Sequence, residues 1–270
     1  MRRADGTASM KPSAGSPTHH KELRLKPLQN EYGQSIGAPV PNWQGARTPA
    51  HVTLTGRYAR LEPVNVERHA RDLYEAHAEA ADGRVWTYLA VGPFDSFEAW
   101  KAHFTKMTML TDPLHFAVID LASGKAVGTL ALMRIDSANG SIEVGHVTYS
   151  PLLQKSRTAT DAMYLTMKHV FEDLGNRRFE WKCDALNAPS RVAAARYGFT
   201  YEGLFRQVVV YRGRNRDTAW FSIIDREWPA IRQGFEDWLA ADNFTAEGQQ
   251  IARLADLIAA RRSAADGTAV

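Results

Sequence analysis

The sequence predicts a mixed α/β fold, a sheet covered by helices. Three observations carry that expectation. Strand-like and helix-like segments follow one another as β-α-α-β-β-β-α-β-α-β-β. The early strands are joined by tight turns, as in hairpins. The later ones are separated by helix-length segments, as in crossovers.

The elements follow in order. Residues 1–26 are basic, rich in Pro, Gly and Ser, and read as a disordered tail. Asn30–Pro49 is loop-like, with Tyr32, Ile36, Val40 and Trp43 able to dock it on a surface. Tyr58–Pro63 is a short strand, and Val66–Ala80 a helix with Leu73, Ala76 and His77 on one stripe. Asp95–Leu110 is a second helix, its Asp95…Glu98 pair resembling a capping box. His115–Leu121 and Ala126–Ile135 flank the turn Ser123-Gly124-Lys125. Asn139-Gly140 marks the turn before the strand Ser141–Tyr149.

A polar, cationic loop, Gln154-Lys155-Ser156-Arg157-Thr158, then hands over to a helix. Met163, Tyr164, Met167, Val170, Phe171 and Leu174 fall on one apolar face, and Gly175 stops it. Arg178–Leu186 is a strand. Asn187–Tyr197 is a short helix with Asn187 as N-cap, Pro189 in its first turn and Gly198 as terminator. Phe205–Tyr211 and Asp217–Ile224 form a hairpin around Arg212-Gly213-Arg214-Asn215. Arg226–Arg262 reads as two more helices, the last with Ile251, Leu254, Leu257 and Ile258 on one face, free to pack on its own domain or to form a homodimer.

Composition excludes several function classes. The 270 residues are 44% hydrophobic and 23% charged, enough for a buried core. The formal charge of +3 is too small, and too scattered, to argue for nucleic acid. No apolar run approaches the ~20 residues that cross a bilayer. The N-terminus lacks the apolar stretch of a secretory signal, so a cytoplasmic location is expected. The single cysteine, Cys183, excludes an internal disulfide and a cysteine-based zinc site, and no metal is expected. Neither a G-x-x-x-x-G-K-[ST] nor a G-x-G-x-x-G pattern is present.

Four stretches, "SIEVGHVTYSP", "LQKSRTATDAMYLTMKHVFEDLG", "LNAPSRVAAARYGFTYEG" and "FRQVVVYRGRNRDTAWFSI", resemble in order and spacing the GNAT superfamily of N-acetyltransferases. The likeness covers about residues 57–224. It is greatest to the RimJ/RimL-type branch and, within it, to microcin-immunity-type acetyltransferases. The resemblance implies a central mixed, mostly antiparallel twisted sheet of about seven strands flanked by helices. It divides the chain into a basic tail with a Pro/Gly-rich segment (1–50), an acetyltransferase domain (51–225) and a C-terminal helical extension (226–270). It implies acetyl-CoA as co-substrate and an amine acceptor, either a small molecule or aminoacyl conjugate, or a protein N-terminus. A non-catalytic acyl-CoA-binding module is the alternative from another class.

The resemblance also assigns residues. A helix N-terminus carries unpaired N–H groups and partial positive charge, so the loop is either a pyrophosphate cradle or an ordinary basic connection. Gln154 and Ala159 match the family loop, and Arg157 stands where it has a central glycine. Lys155, Arg157, Thr158 and Thr160 complete the cofactor set, with the strand backbone at Val147 and Tyr149 beside the pantetheine arm and Asn187 at the thioester. The N-cap preference alone also explains Asn187. Glu143 is the expected base, made more basic by burial, or else a salt-bridged glutamate. His146 is second, because regular alternation puts it on the opposite face. The family tyrosine is replaced by Ala194, so Ser190 is the expected donor to the leaving thiolate. Cys183 reads as a small core residue. Trp86 is a candidate wall of the acceptor pocket, and the turn "YRGRNRD" either holds an anionic acceptor or is a solvated hairpin tip.

Overall fold

The computed structural model describes residues 28–267, with side chains described to residue 265. The expected disorder of residues 1–26 lies outside them. The chain divides into two compact units at Trp43/Gln44. In the first, β1 (Leu28–Gln29) and β2 (Ser35–Ile36) form a small antiparallel hairpin. Its turn is held by the Asn30 carboxamide, whose Oδ1 accepts from the N–H groups of Tyr32 and Gln34. Of the four residues expected to dock, Tyr32, Ile36 and Val40 are exposed and Trp43 is half-buried.

The second unit is built on eight strands: β3 (Leu54–Thr55), β4 (Ala59–Pro63), β5 (Leu114–Asp120), β6 (Ala126–Asp136), β7 (Ser141–Tyr149), β8 (Arg178–Asp184), β9 (Thr200–Tyr211) and β10 (Arg214–Ile224). Their order is β3-β4-β5-β6-β7-β8-β10-β9. Every neighbouring pair is antiparallel except β7–β8. The strand beyond the expected seven is β3, whose two residues are too few to show an alternation.

Two helical layers cover the sheet. α1 (Val66–Ala78) and α2 (Phe97–Met107) bury Ala70, Leu73, Trp100 and Phe104 against Ala117, Ile119 and Ala126. On the opposite face, α3 (Arg157–Lys168) and the π-turn His169–Asp173 place Met163, Met167, Val170 and Phe171 over Phe116, Val118, Leu130, Leu132, Ile142 and Val144. Gly175 ends that segment with φ +74°, in the left-handed region. Because β5 is covered on both sides, six of its seven residues are buried and its alternation is hidden in the sequence.

Several boundaries differ from expectation. α2 is capped by Ser96, whose Oγ accepts from Ala99 N, so Asp95 is not its cap. β8 ends at Asp184, where the Asp184 carboxylate accepts from Leu186 N and turns the chain. β9 begins at Thr200, five residues earlier than its apolar pattern. Its turn is only Arg212-Gly213, both with positive φ, as a two-residue hairpin of type I′ requires.

α4 (Ala188–Arg196) precedes β9 at the sheet's end, and α5 (Trp228–Leu239) and α6 (Leu254–Gly267) close the fold. Leu254 and Ile258 are fully buried, Leu257 half-buried, and Ile251, which precedes α6, exposed. The apolar face of the last helix is thus used within its own chain. The sheet's far edge, β9, leaves Leu204, Phe205, Val208, Val209 and Val210 exposed. No described helix is long and apolar enough to cross a membrane.

Candidate active site

The one parallel pair opens a cleft. β7 and β8 are paired from Ser141↔Arg178 to Val144↔Trp181 and no further. Beyond that point Gly145–Tyr149 follows β6 and Lys182–Asp184 follows β10. The facing edges of the two strands are left unpaired, and a chain-like ligand can insert between them by strand-like hydrogen bonding.

β7 departs from regular alternation where the pair separates. His146 adopts φ +47°, at a bulge between the Ala131↔Gly145 and Thr129↔Thr148 pairs. The extra residue turns His146 to the face of the sheet that carries His115. His115 Nε2 and His146 Nδ1 lie 3.0 Å apart. The expectation that His146 points away from Glu143 is therefore corrected; the bulge breaks the period of two.

The helix after the cleft begins at Arg157. Ser156 is its N-cap, with Ser156 Oγ accepting from Ala159 N at 3.0 Å. The N–H groups of Arg157 and Thr158 come first in the helix and have no intrahelical acceptor. The left-handed residue of the loop is Lys155, at φ +59°. Arg157 is an ordinary helical residue, so its place in the family's glycine position causes no strain. Its guanidinium stacks over Tyr58 and Phe244, 5.0 and 4.8 Å from the ring centres.

Other side chains of the expected cradle have partners inside the protein. Gln154 Nε2 donates to Tyr149 O at 2.8 Å. Thr158 Oγ1 donates to Asp120 Oδ1 at 2.9 Å, and Thr160 Oγ1 accepts from Arg196 Nη1 at 3.1 Å. What the loop presents outward is backbone N–H and the exposed Gln154, Lys155 and Arg157. Tyr149 Oη is buried without a hydrogen-bond partner, and burial beside Tyr197 holds its phenol well above the ordinary range.

α4 borders the cleft from the β8 side. Asn187 Oδ1 caps it by accepting from Ser190 N at 3.1 Å. Ser190 Oγ accepts from Trp181 Nε1 at 3.0 Å. Burial pushes the Cys183 thiol up, partly offset by the neighbouring Ser190 hydroxyl. Cys183 is in the core, as expected.

Glu143 is 3% exposed, and its surroundings are ionic rather than apolar. Its Oε2 is 2.7 Å from Arg134 Nη1 and 2.8 Å from Lys182 Nζ. Lys182 also meets Glu180 at 2.6 Å and lies over the Trp220 ring. Arg134 is aimed there by a bulge at φ +48°, pinned by the Asp112 carboxylate, which accepts from Arg134 N and Ile135 N. Arg134, Lys182 and His115 were missed from sequence. The signal for Lys182 was present in "RFEWKCD", where Arg178, Glu180, Lys182 and Asp184 alternate with the apolar set.

The mouth is tied across. Arg212 Nη1 donates to Trp86 O, Arg214 Nη2 to Thr87 O, and Tyr88 Oη to Leu186 O. The hairpin tip Arg212–Asn215 is exposed, and two of its arginines also reach across to backbone carbonyls. The Trp86 ring turns inward against His77 and Phe94, lining a cavity of ≈240 Å³ between α1 and α2. Among the described residues no group of acidic, His or Cys side chains is arranged to hold a metal ion.

Against known proteins, residues 59–200 match the model of the "Acetyltransferase (GNAT) domain" family. This match covers more than half of the chain. The chain belongs to the GNAT acetyltransferases. A GCN5-related N-acetyltransferase from Brucella melitensis is 45% identical, with a TM-score of 0.80, over 82% of this chain and 100% of that one. YdaF of Bacillus subtilis (strain 168), which bears a ribosomal N-acetyltransferase name, is 24% identical over 66% of this chain and 93% of its own. The microcin C7 self-immunity acetyltransferase MccE, solved with acetyl-CoA and AMP, shares the fold at 19% identity and a TM-score of 0.55, over 63% of this chain and 93% of that one. In this GNAT acetyltransferase β7, after parting from β8, leads through one short loop into α3, and α4 follows β8.

Proposed function

We propose that the protein is an acetyl-CoA-dependent N-acetyltransferase acting on a primary amine of a small molecule or aminoacyl conjugate. The observation that carries this reading is the β7/β8 separation, which ends one short loop before the open N–H groups of α3. A pantetheine arm fits between unpaired strand edges, and a pyrophosphate fits a helix N-terminus. MccE, with the same fold, was solved with acetyl-CoA and AMP.

The proposed roles follow. Backbone N–H groups at Lys155, Arg157 and Thr158 take the pyrophosphate, with Lys155 adding charge. The Gln154 bond to Tyr149 O and the Thr158 and Thr160 bonds brace the cradle, and Ala159 leaves room at the first turn. The Val147 and Tyr149 backbone borders the pantetheine. Asn187 orients the thioester end, and Ser190 Oγ–H faces the departing sulfur. Glu143 balances Arg134 and Lys182 in the floor on the acceptor side, where an anionic part of the acceptor would meet those cations. A lone buried thiol suits the reducing cytoplasm.

YdaF favours a second reading, acetylation of a protein N-terminus. Calorimetry with acetyl-CoA and a thiol-release assay test both. Arg157→Glu, which puts an anion at the first helical position, is expected to weaken acetyl-CoA binding about tenfold, the scale of a lost charge-assisted contact. A parent chain that binds no acetyl-CoA sinks the proposal. Thiol release only with peptides bearing free N-termini transfers it to the second reading.

A further inference from the structure

We propose that His146, oriented by His115, is the group that takes the proton from the acceptor ammonium. The inference rests on the N-acetyltransferase reading and adds the residue that reading lacks, because Glu143 Oε2 is already shared by two cations.

Position comes first. Gly145 is the first residue of β7 beyond the parallel pairing, and His146 the second. His146 keeps part of its surface exposed while its ring is partly buried against His115, which is itself 2% exposed. The left-handed backbone at His146 is one that a non-glycine residue adopts only when its surroundings hold it, and such residues gather at functional sites.

The hydrogen-bond chain then sets the tautomers. The carbonyls of Pro113 and Met107 face the His115 ring and favour its protonated form. In the proposed arrangement the one N–H of His115 sits on Nδ1, which is buried without a hydrogen-bond partner, and Nε2 is the acceptor. His146 Nδ1–H then donates across the 3.0 Å that separates it from that Nε2. The remaining nitrogen, His146 Nε2, then keeps a lone pair with which to accept a proton. The groups facing His146 are His115 from β5, Arg134 from β6 and His103 from α2. Burial, then Arg134, holds its imidazole below the ordinary range, so it is neutral near pH 7 and ready to accept.

The step balances. The ammonium gives one proton to His146 Nε2. The freed nitrogen pair forms the C–N bond at the thioester carbonyl, and the C–S bond breaks with its pair on sulfur. The second nitrogen proton goes to that sulfur, and His146 releases its own to solvent. His115 is a positioning residue; it fixes the tautomer and accepts the hydrogen bond of the imidazolium.

Two experiments test this on the full chain. Imidazole nitrogen NMR at pH 7 reads the tautomers without any acceptor. Neutral His146 carrying its proton on Nδ1 is expected; a proton on Nε2, or a charged ring, overturns the proposal. Thiol release from acetyl-CoA with a panel of primary amines reads the chemistry. His146→Gln is expected to lower kcat/KM by about 10²–10⁴-fold and to remove the acid limb of its pH profile. Acetyl-CoA affinity should not change, and the loss should be smallest for amines of low basicity. A His146→Gln rate within twofold of the parent overturns the assignment. His115→Phe should move the acid limb to lower pH, and His115→Gln, which can still accept, should restore it in part. A parent that binds acetyl-CoA but acetylates no amine defeats the acetyltransferase reading, and the NMR result still decides the dyad.

Discussion

The Lys182 side chain is 7% exposed, its ammonium between Glu143 and Glu180 and over the Trp220 ring. A buried charge is tolerated only when its partners are in place. Lys182→Met leaves Glu143 with Arg134 alone, and a loss of about 3 kcal/mol is expected from breaking such a cluster. Urea unfolding measures it; an unchanged midpoint would mean that water already solvates these carboxylates.

His77 and His115 show the opposite solution, in which the charge is given up. Burial drives both down to about 4. The unfolded chain, with ordinary histidines near 6.5, therefore binds more protons than the folded one between pH 6.5 and 4. Stability falls as pH drops through that window, by up to about 1.4 kcal/mol per unit for each ring. The slope is absent above it. His77→Phe should flatten the dependence, as read by thermal unfolding at pH 4.5 and 7; an unchanged slope would place the liability elsewhere. Helical spacing announces His77, which shares a stripe with Leu73 and Ala76; no spacing announces His115, because what matters there is which neighbours bury it.

At the scale of elements, the loop into α3 repeats a lesson from α2. The sequence identifies where a helix starts to within a residue or two, and the capping side chain settles the rest. The loop's left-handed residue is Lys155, two before the Arg157 that the family pattern singles out. Ser156→Ala should cost about 1 kcal/mol, since it frees a buried N–H of the first turn. Lys155→Gly should recover a few tenths to 1 kcal/mol, because glycine takes that backbone region freely. Denaturant melts of the two variants check both signs. The strands and helices were legible from period and turn residues. The bulges at Arg134 and His146 were not, because a bulge is one residue of mismatch between partners and appears only once the pairing is known.

For the whole molecule, the last helix decides whether the core is closed. A Cβ on Gly234 of α5 would sit 2.6 Å from Ile258 Cγ1 and 2.9 Å from Ile258 Cα, backbone that cannot rotate away. Gly234→Ala should therefore push α6 off and cost about 1–3 kcal/mol. A Tm within a degree of the parent would show that α6 floats. Truncation after Ala241 removes Leu254 and Ile258 from the core; exposed apolar surface and loss of cooperative melting are expected.

The edge strand β9 carries a row of apolar side chains beside unpaired backbone groups, an arrangement that invites one chain to template the next. Its ladder is interrupted where Gln207 takes φ +51° and Gln207 N donates to the Asp217 carboxylate. That kink denies an incoming strand a continuous run of hydrogen bonds, the kind of interruption that works against fibril growth along an edge.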